Sequence, residues 1–316
     1  MKFPVFDLHC DTALALLGED LTEAGSLRRN QYHIDLERAG KLPGYVQCFA
    51  CFTTPFMTQW HQKDPTVIFE KEIETVMREM YYNADLISQI HRVSDIEKNY
   101  KAGKMSAILT IEGPAGFGFN PAMLENLHQI GFRITTLGWN EQNPLCGSHK
   151  TGGGLTDLGR EYVKEAQRLG MIIDVSHISD EAFWDIMKIT EKPVIASHSN
   201  SRSVCPVSRN LTDDMFREIC QSGGVAGFNM CAPFVGDDPD LDTAADHFVH
   251  FLELGGEKHV ALGGDLDGCD VLPKGFEGVQ DYPKLADKLL ERGLGEDLVY
   301  DIFWNNAMEV MRRCCT

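Results

Sequence analysis

Histidines and carboxylates follow short apolar runs at five places in this chain. His9-Cys-Asp11 ends the run that starts at Val5, and Glu112 closes Leu109-Thr-Ile; Asp174-Val-Ser-His177, Ala196-Ser-His198 and Gly263-Gly-Asp265-Leu-Asp267 follow. Imidazole nitrogens and carboxylate oxygens are the donors of a catalytic zinc centre, and three His, two Asp and one Glu suffice for two ions. One such residue at a strand end is ordinarily a hydrogen-bonded or capping group. The coincidence of five points to a metal centre. On an extended strand His9 and Asp11 project from the same face about 6.5 Å apart, so both can reach one cation. Asp7 shares that face at greater depth and reads as structural. Glu112 places a carboxylate at the end of an otherwise apolar run, which is costly without a partner.

These groups need a scaffold that brings five strand ends together. Runs read as strands cover 5–11, 45–52, 106–112, 132–139, 171–177, 193–199, 225–231 and 259–265. Segments of helical period cover 66–90, 124–130, 157–169, 180–189, 213–221 and 244–254, and two more, 283–292 and 296–312, would close the ring. Thr212 before Asp213 and Asp214 is an N-cap pattern, and Gly170, Gly223 and Gly255 sit where helices should stop. Alternation of eight strands with helices predicts a (β/α)8 TIM barrel, in which reactive groups occupy the C-terminal strand ends. No linker or repeat interrupts residues 1–316, so one barrel domain is expected. The polar loops 51–65, 140–156 and 233–243 are candidates to cover the site.

Composition narrows the partners. A formal charge of −18, from 47 acidic against 29 basic residues, excludes nucleic acid and anionic membrane as expected partners. No charged leader precedes the first strand, and no apolar run approaches the roughly 20 residues that span a bilayer, so a soluble, cytoplasmic protein is expected. Ten scattered cysteines then read as reduced thiols. Cys48 and Cys51 have the spacing of half a zinc site, but on a strand they face opposite sides. His33, His61, His91, His128, His247, His250 and His259 fall away from the catalytic end and read as structural; His149, in the loop after the fourth strand, could reach the site.

At these residues the chain resembles the renal (membrane) dipeptidase family, zinc dipeptidases among the metal-dependent amidohydrolase barrels. The likeness runs nearly end to end, through Phe6-Asp-Leu-His9-Cys-Asp11, Ile111-Glu112-Gly, Gly170-Met-Ile-Ile-Asp174-Val-Ser-His177, Pro193-Val-Ile-Ala-Ser-His198, Arg209-Asn-Leu-Thr-Asp213 and Leu262-Gly-Gly-Asp265-Leu-Asp267-Gly. The resemblance implies two zinc ions: His9 and Asp11 on one, His177 and His198 on the other, and Glu112 bridging. Two cations so held can activate one water and polarise a scissile carbonyl. It further implies that Asp265 carries the proton to the leaving amine, with Asp267 as second choice, that Arg209 binds the substrate carboxylate, and that the protein is a homodimer. Where members such as the renal enzyme have a substrate-binding histidine after strand four, this chain has Trp139. Contact with the substrate from that region falls to Trp139, Asn140 or His149, and the sequence does not choose. Dipeptide hydrolysis is therefore the leading expectation. Hydrolysis of N-acyl amino acids would use the same centre, a glycosidase using Glu112 and Asp265 leaves three histidines unexplained, and a scaffold protein would have lost ligands that are present.

Overall fold

The computed structural model describes residues 3–18, 21 and 25–315; the ends of the expected 1–316 unit lie outside them. Among these residues there are nine parallel strands: β1 (Val5–Cys10), β2 (Tyr45–Phe52), β3 (Ile87–Gln89), β4 (Met105–Glu112), β5 (Phe132–Thr136), β6 (Ile172–Asp174), β7 (Val194–Ile195), β8 (Ala226–Phe228) and β9 (Val260–Leu262). They pair in the order β7-β6-β5-β4-β2-β1-β9-β8, and a bridge between Ala196 and Ala226 joins the two outer strands. Eight strands thus close into the (β/α)8 barrel, with β3 outside the ring.

Strand β3 corrects the expected 66–90 helix. The helix ends at Tyr82, where Asn83 turns its side-chain amide back onto the Glu79 carbonyl at 2.9 Å. Ile87–Gln89 then pairs with residues 105–107 of β4, on the side that β5 takes over from Leu109 onward. A helix not foreseen in the sequence, Val93–Lys101, follows. Ile87 and Ile90 suit either period, and pairing with a partner already in place decides for the strand.

Helix boundaries elsewhere follow their capping residues. Thr156, Ser179 and Thr212 accept hydrogen bonds from the backbone N–H groups of Gly159, Ala182 and Met215, and Gly170 and Gly223 end their helices at φ 82° and 81°. The last segment departs from expectation. Glu296–Tyr300, a π-helical turn over Asp301–Asn305 and Asn306–Cys314 form one continuous element. Its Trp304, Met308 and Met311 join Phe6, Leu8, Val46, Ile108 and Ile134 in the inner core, and Asn306 bonds the carbonyls of Glu257 and Val260 at the start of β9. The element plugs the N-terminal end of the barrel instead of completing the ring. Each fully buried side chain of this kind contributes roughly 1.5–3 kcal/mol. Cys48 belongs to the inner core and Cys51 to the outer one, on opposite faces as their spacing requires.

Candidate metal centre

Strand β1 positions the first two candidate ligands, His9 and Asp11, through an irregularity. Its register to β2 shifts between Asp7 and Cys10. Below the shift Asp7 joins the outer layer, where Tyr282 and the Gly264 N–H donate to its carboxylate. Above it His9 and Asp11 turn toward the barrel axis. The expectation that Asp7 shares their face is therefore corrected: a bulge resets the two-residue period. Glu112 comes from the end of β4.

The strands carrying the other residues are shorter than expected, because side chains take over from the ladder. Asp174, the last residue of β6, accepts the N–H groups of Ser176 at 3.0 Å and Ser197 at 2.8 Å. The chain beyond is free to bend inward. His177, Asp265 and Asp267 have φ of 71°, 54° and 68°, a left-handed region that costs a non-glycine residue about 1–3 kcal/mol and clusters at functional sites.

Six side chains meet at the C-terminal end of the barrel. His9 Nε2 lies 3.1 Å from Glu112 Oε2, 3.5 Å from Asp11 Oδ2 and 3.9 Å from Asp265 Oδ1. Glu112 Oε1 lies 2.9 Å from His177 Nε2 and 3.8 Å from His198 Nε2, and these two nitrogens are 2.8 Å apart. The rings of His9 and His198 stack at 3.7 Å. All six residues are buried, yet His9 Nε2 and Asp11 Oδ1 have no hydrogen-bond partner. Burial, reinforced by Asp11, holds the Glu112 carboxyl above its usual range, and burial does the same to Asp265. Burial, with Arg209 and neighbouring histidines, pushes His177 and His198 well below theirs, leaving neutral imidazoles. Burial also opposes the charge on His9, but Glu112 and Asp11 outweigh it and draw its pKa up. Neutral imidazoles, crowded carboxylates and orphaned buried donors fit a divalent cation, which offsets the repulsion and supplies the missing partner.

Surrounding residues orient these side chains. His198 Nδ1 lies 2.7 Å from Ser197 Oγ, which donates to Asp174. Asn140 Oδ1 lies 3.0 Å from His177 Nδ1 and 2.8 Å from His149 Nε2, so one amide fixes two rings. Removing a group of this kind weakens metal binding about 10–100-fold. Asn140→Ala is expected to do so in competition with a chromophoric chelator; unchanged affinity would deny Asn140 this role. The other nitrogen of His149 is 3.0 Å from Ser208 Oγ, and burial, aided by Arg209, lowers its pKa to about 4.

A cavity of about 300 Å³ opens over the cluster, lined by Asp11, Glu112, His177 and Asp265 and walled by Leu14, Phe52, Trp139, Asn140 and Phe234. Trp139 packs edge-on against Phe52 and Trp60 at 5.3 and 5.4 Å. The loops expected to cover the site do contribute its walls. A larger depression of about 710 Å³ near Lys258, His259 and Arg313 has no comparable ligand cluster among the described residues. Arg209 is buried, donates to Ser199 Oγ at 2.7 Å and to the His198 carbonyl at 3.1 Å, and leaves Nε without a partner.

Two residues escaped the sequence reading. Asn229, just after β8, donates to Asp265 Oδ2 at 2.9 Å; its place at a strand end was the available signal. His33, expected away from the catalytic end, braces Asp267 there: its backbone N–H donates to Oδ1 at 2.6 Å and its ring Nδ1 accepts from the Asp267 backbone N–H at 3.0 Å. Thr12 Oγ1 donates to the other Asp267 oxygen at 2.6 Å, so both oxygens of Asp267 are committed while Asp265 Oδ1 faces the cluster. Gly268 permits the close approach of the two walls. A Cβ there would stand 2.1 Å from Asp11 Oδ2 and 2.5 Å from Asp265 Oδ1. Gly268→Ala is expected to fold normally by circular dichroism yet lose at least about tenfold in kcat, since small misplacements of reacting groups cost up to 10²-fold; full activity would show that the site tolerates displacement.

The family model for membrane dipeptidases, peptidase family M19, matches residues 1–315. The chain belongs to that family. Two relatives named as uncharacterized dipeptidases of Schizosaccharomyces pombe are 31% identical over 77% of the chain and 34% identical over 82%. The chain spans 61% of the length of the first and 67% of the second. An uncharacterized Klebsiella pneumoniae protein is 32% identical over 79% of the chain and 97% of its own length. In fold, the chain is similar to a Rhodobacter sphaeroides metallopeptidase (24% identity, TM-score 0.87, 99% and 100% of the two chains) and to the probable dipeptidase PvdM of Pseudomonas aeruginosa (17%, 0.89, 99% and 96%). Among the described residues no helix is long and apolar enough to cross a membrane.

Proposed function

We propose that this member of the membrane dipeptidase family is a binuclear zinc dipeptidase that hydrolyses the peptide bond of small dipeptides. One observation carries the reading: buried, partly unpartnered nitrogen and oxygen donors converge on Glu112 beneath a cavity of about 300 Å³. That volume is at the small end of ligand sites and suits a dipeptide better than a longer chain. Family membership supports it. So does the Rhodobacter sphaeroides structure, which is liganded with a phosphinate mimic of L-Ala-D-Ala.

His9 and Asp11 would hold one ion and His177 and His198 the other, with Glu112 between them. Bound zinc supplies Lewis acidity, which lowers the pKa of water and polarises a carbonyl. Asp265 accepts the proton of the attacking water at Oδ1 and returns it to the leaving amine, while Asn229 holds its other oxygen. Arg209 receives the substrate carboxylate, for which its planar fork of donors is suited. Asn140 turns its oxygen to His177 and His149, and its amide N–H₂ is then directed to the substrate carbonyl. Trp139 forms an apolar wall beside it, and His149, with both nitrogens engaged, supports Asn140. A cytoplasmic location and a homodimer complete the reading, resting on ten free thiols and on the family respectively.

The test compares free dipeptides with their N-acetylated counterparts, using protein as purified, after chelation and after zinc is restored. Chelator-sensitive, zinc-restored cleavage of the free set is expected. Cleavage of the acylated set alone would transfer the site to N-acyl amino acids.

A further inference from the structure

A second ligand cluster shares Asp265 with the centre just described. Cys231 Sγ, Cys269 Sγ and a carboxylate oxygen of Asp265 all lie within 4.8 Å of one another. Cys231 precedes the short helix Ala232–Val235, is half-buried and lines the cavity. Cys269 is buried in the turn after β9, with Sγ 2.9 Å from the Asp265 carbonyl oxygen. Backbone bonds fix both segments: Cys231 N–H donates to Asn229 Oδ1 at 2.6 Å and Ala232 N–H to the Val271 carbonyl at 3.0 Å. Neither thiol has a part in the reaction proposed above.

Two sulfurs and a carboxylate at this spacing are a donor set for a soft or borderline cation. An ion about 2.3 Å from each sulfur and about 2.0–2.2 Å from the oxygen fits within such a triangle. Because Cys231 borders the cavity, an ion can arrive by the substrate's route and keep its fourth position open toward it. Sulfur donors favour cadmium, copper(I) or zinc over magnesium and manganese, whereas the neighbouring centre offers only nitrogen and oxygen.

We propose that Cys231, Cys269 and Asp265 form an inhibitory site for a thiophilic cation, distinct from the two-ion centre. Binding exchanges two S–H protons, released to solvent, for two metal–sulfur bonds, with no change of oxidation state. The Asp265 carboxylate, once committed to this ion, no longer carries the proton. That consequence rests on the role proposed above for Asp265; the existence of the site does not.

The experiment titrates zinc-loaded protein with cadmium chloride, following the ultraviolet sulfur-to-cadmium charge-transfer absorbance, cadmium per chain and dipeptide hydrolysis together. One cadmium per chain is expected to give the absorbance while hydrolysis falls. Cys231→Ser and Cys269→Ser are each expected to abolish the absorbance and to raise the inhibitory concentration, measured against each variant's own cadmium-free rate, at least tenfold. Cys220→Ser, which removes the other half-buried thiol, should leave the absorbance intact. No absorbance at equimolar cadmium, or absorbance and inhibition unaltered in both variants, would overturn the site. Cysteine-dependent absorbance without inhibition would overturn the inhibitory role alone. If the protein cleaves no dipeptide at all, the functional reading fails separately, and the absorbance still decides whether the site exists.

Discussion

Asp265→Asn is expected to lower kcat for dipeptide hydrolysis by about 10²–10⁴-fold, the range that a positioned general acid and base supplies, while the protein keeps its metal. The backbone goes to some length to place this carboxylate. Asp265 takes a left-handed φ of 54°, its N–H donates to the His9 carbonyl at 3.2 Å, and Asn229 anchors Oδ2. Oδ1 is left pointing at the cluster, 3.9 Å from His9 Nε2. Asparagine reproduces the shape and the bond from Asn229 but cannot take up a proton. Steady-state kinetics with elemental analysis of the same sample decides the matter. Loss of metal alongside activity would make Asp265 a ligand, and unchanged kcat would return the proton to another group.

Glu112→Gln is expected to abolish hydrolysis by a different route, through loss of the metal. Glu112 touches both halves of the cluster, at 3.1 Å from His9 and 2.9 Å from His177. Its removal should weaken metal binding by more than the roughly 10–100-fold typical of outer-shell changes. Stability should move the other way. Burial raises the folded-state pKa of Glu112 above its unfolded value, so in metal-free protein this group favours folding at low pH, and that contribution is lost as pH rises through the folded pKa. At neutral pH the neutral amide relieves the cost. In chelator, the variant should melt no lower than the parent protein; a clearly lower melting temperature would mean that the carboxylate holds the fold together without metal.

The strand ends were legible because two simple rules coincide there. A run of β-branched apolar residues marks a buried parallel strand, and a His, Asp or Glu closing that run is conspicuous against it. Thus Glu112 after Ile111, and His198 after Ala196-Ser, stand out without any structure. Features set by long-range partners were not legible. The bulge that separates Asp7 from His9 leaves the Asp7 carboxylate facing Tyr282, 275 residues away, whose hydroxyl donates to it. His33 meets Asp267 across 234 residues, and nothing local distinguishes it from the other structural histidines. Strand β3 depended on an edge of β4 left open below β5, and the barrel plug on where a helix with an apolar stripe could be accommodated. In the sequence Asn140 is one of three candidate substrate contacts, with Trp139 and His149, and only the structure reveals its bonds to His177 and His149.

Metal stoichiometry measured against activity decides whether two ions act together at Glu112. Protein stripped by chelator would be reconstituted with increasing zinc, with bound metal per chain and the rate of dipeptide cleavage measured on each sample. Saturation is expected at two zinc ions per chain, with full activity only when both are bound. Full activity at one ion per chain, or with none, would contradict the two-ion reading.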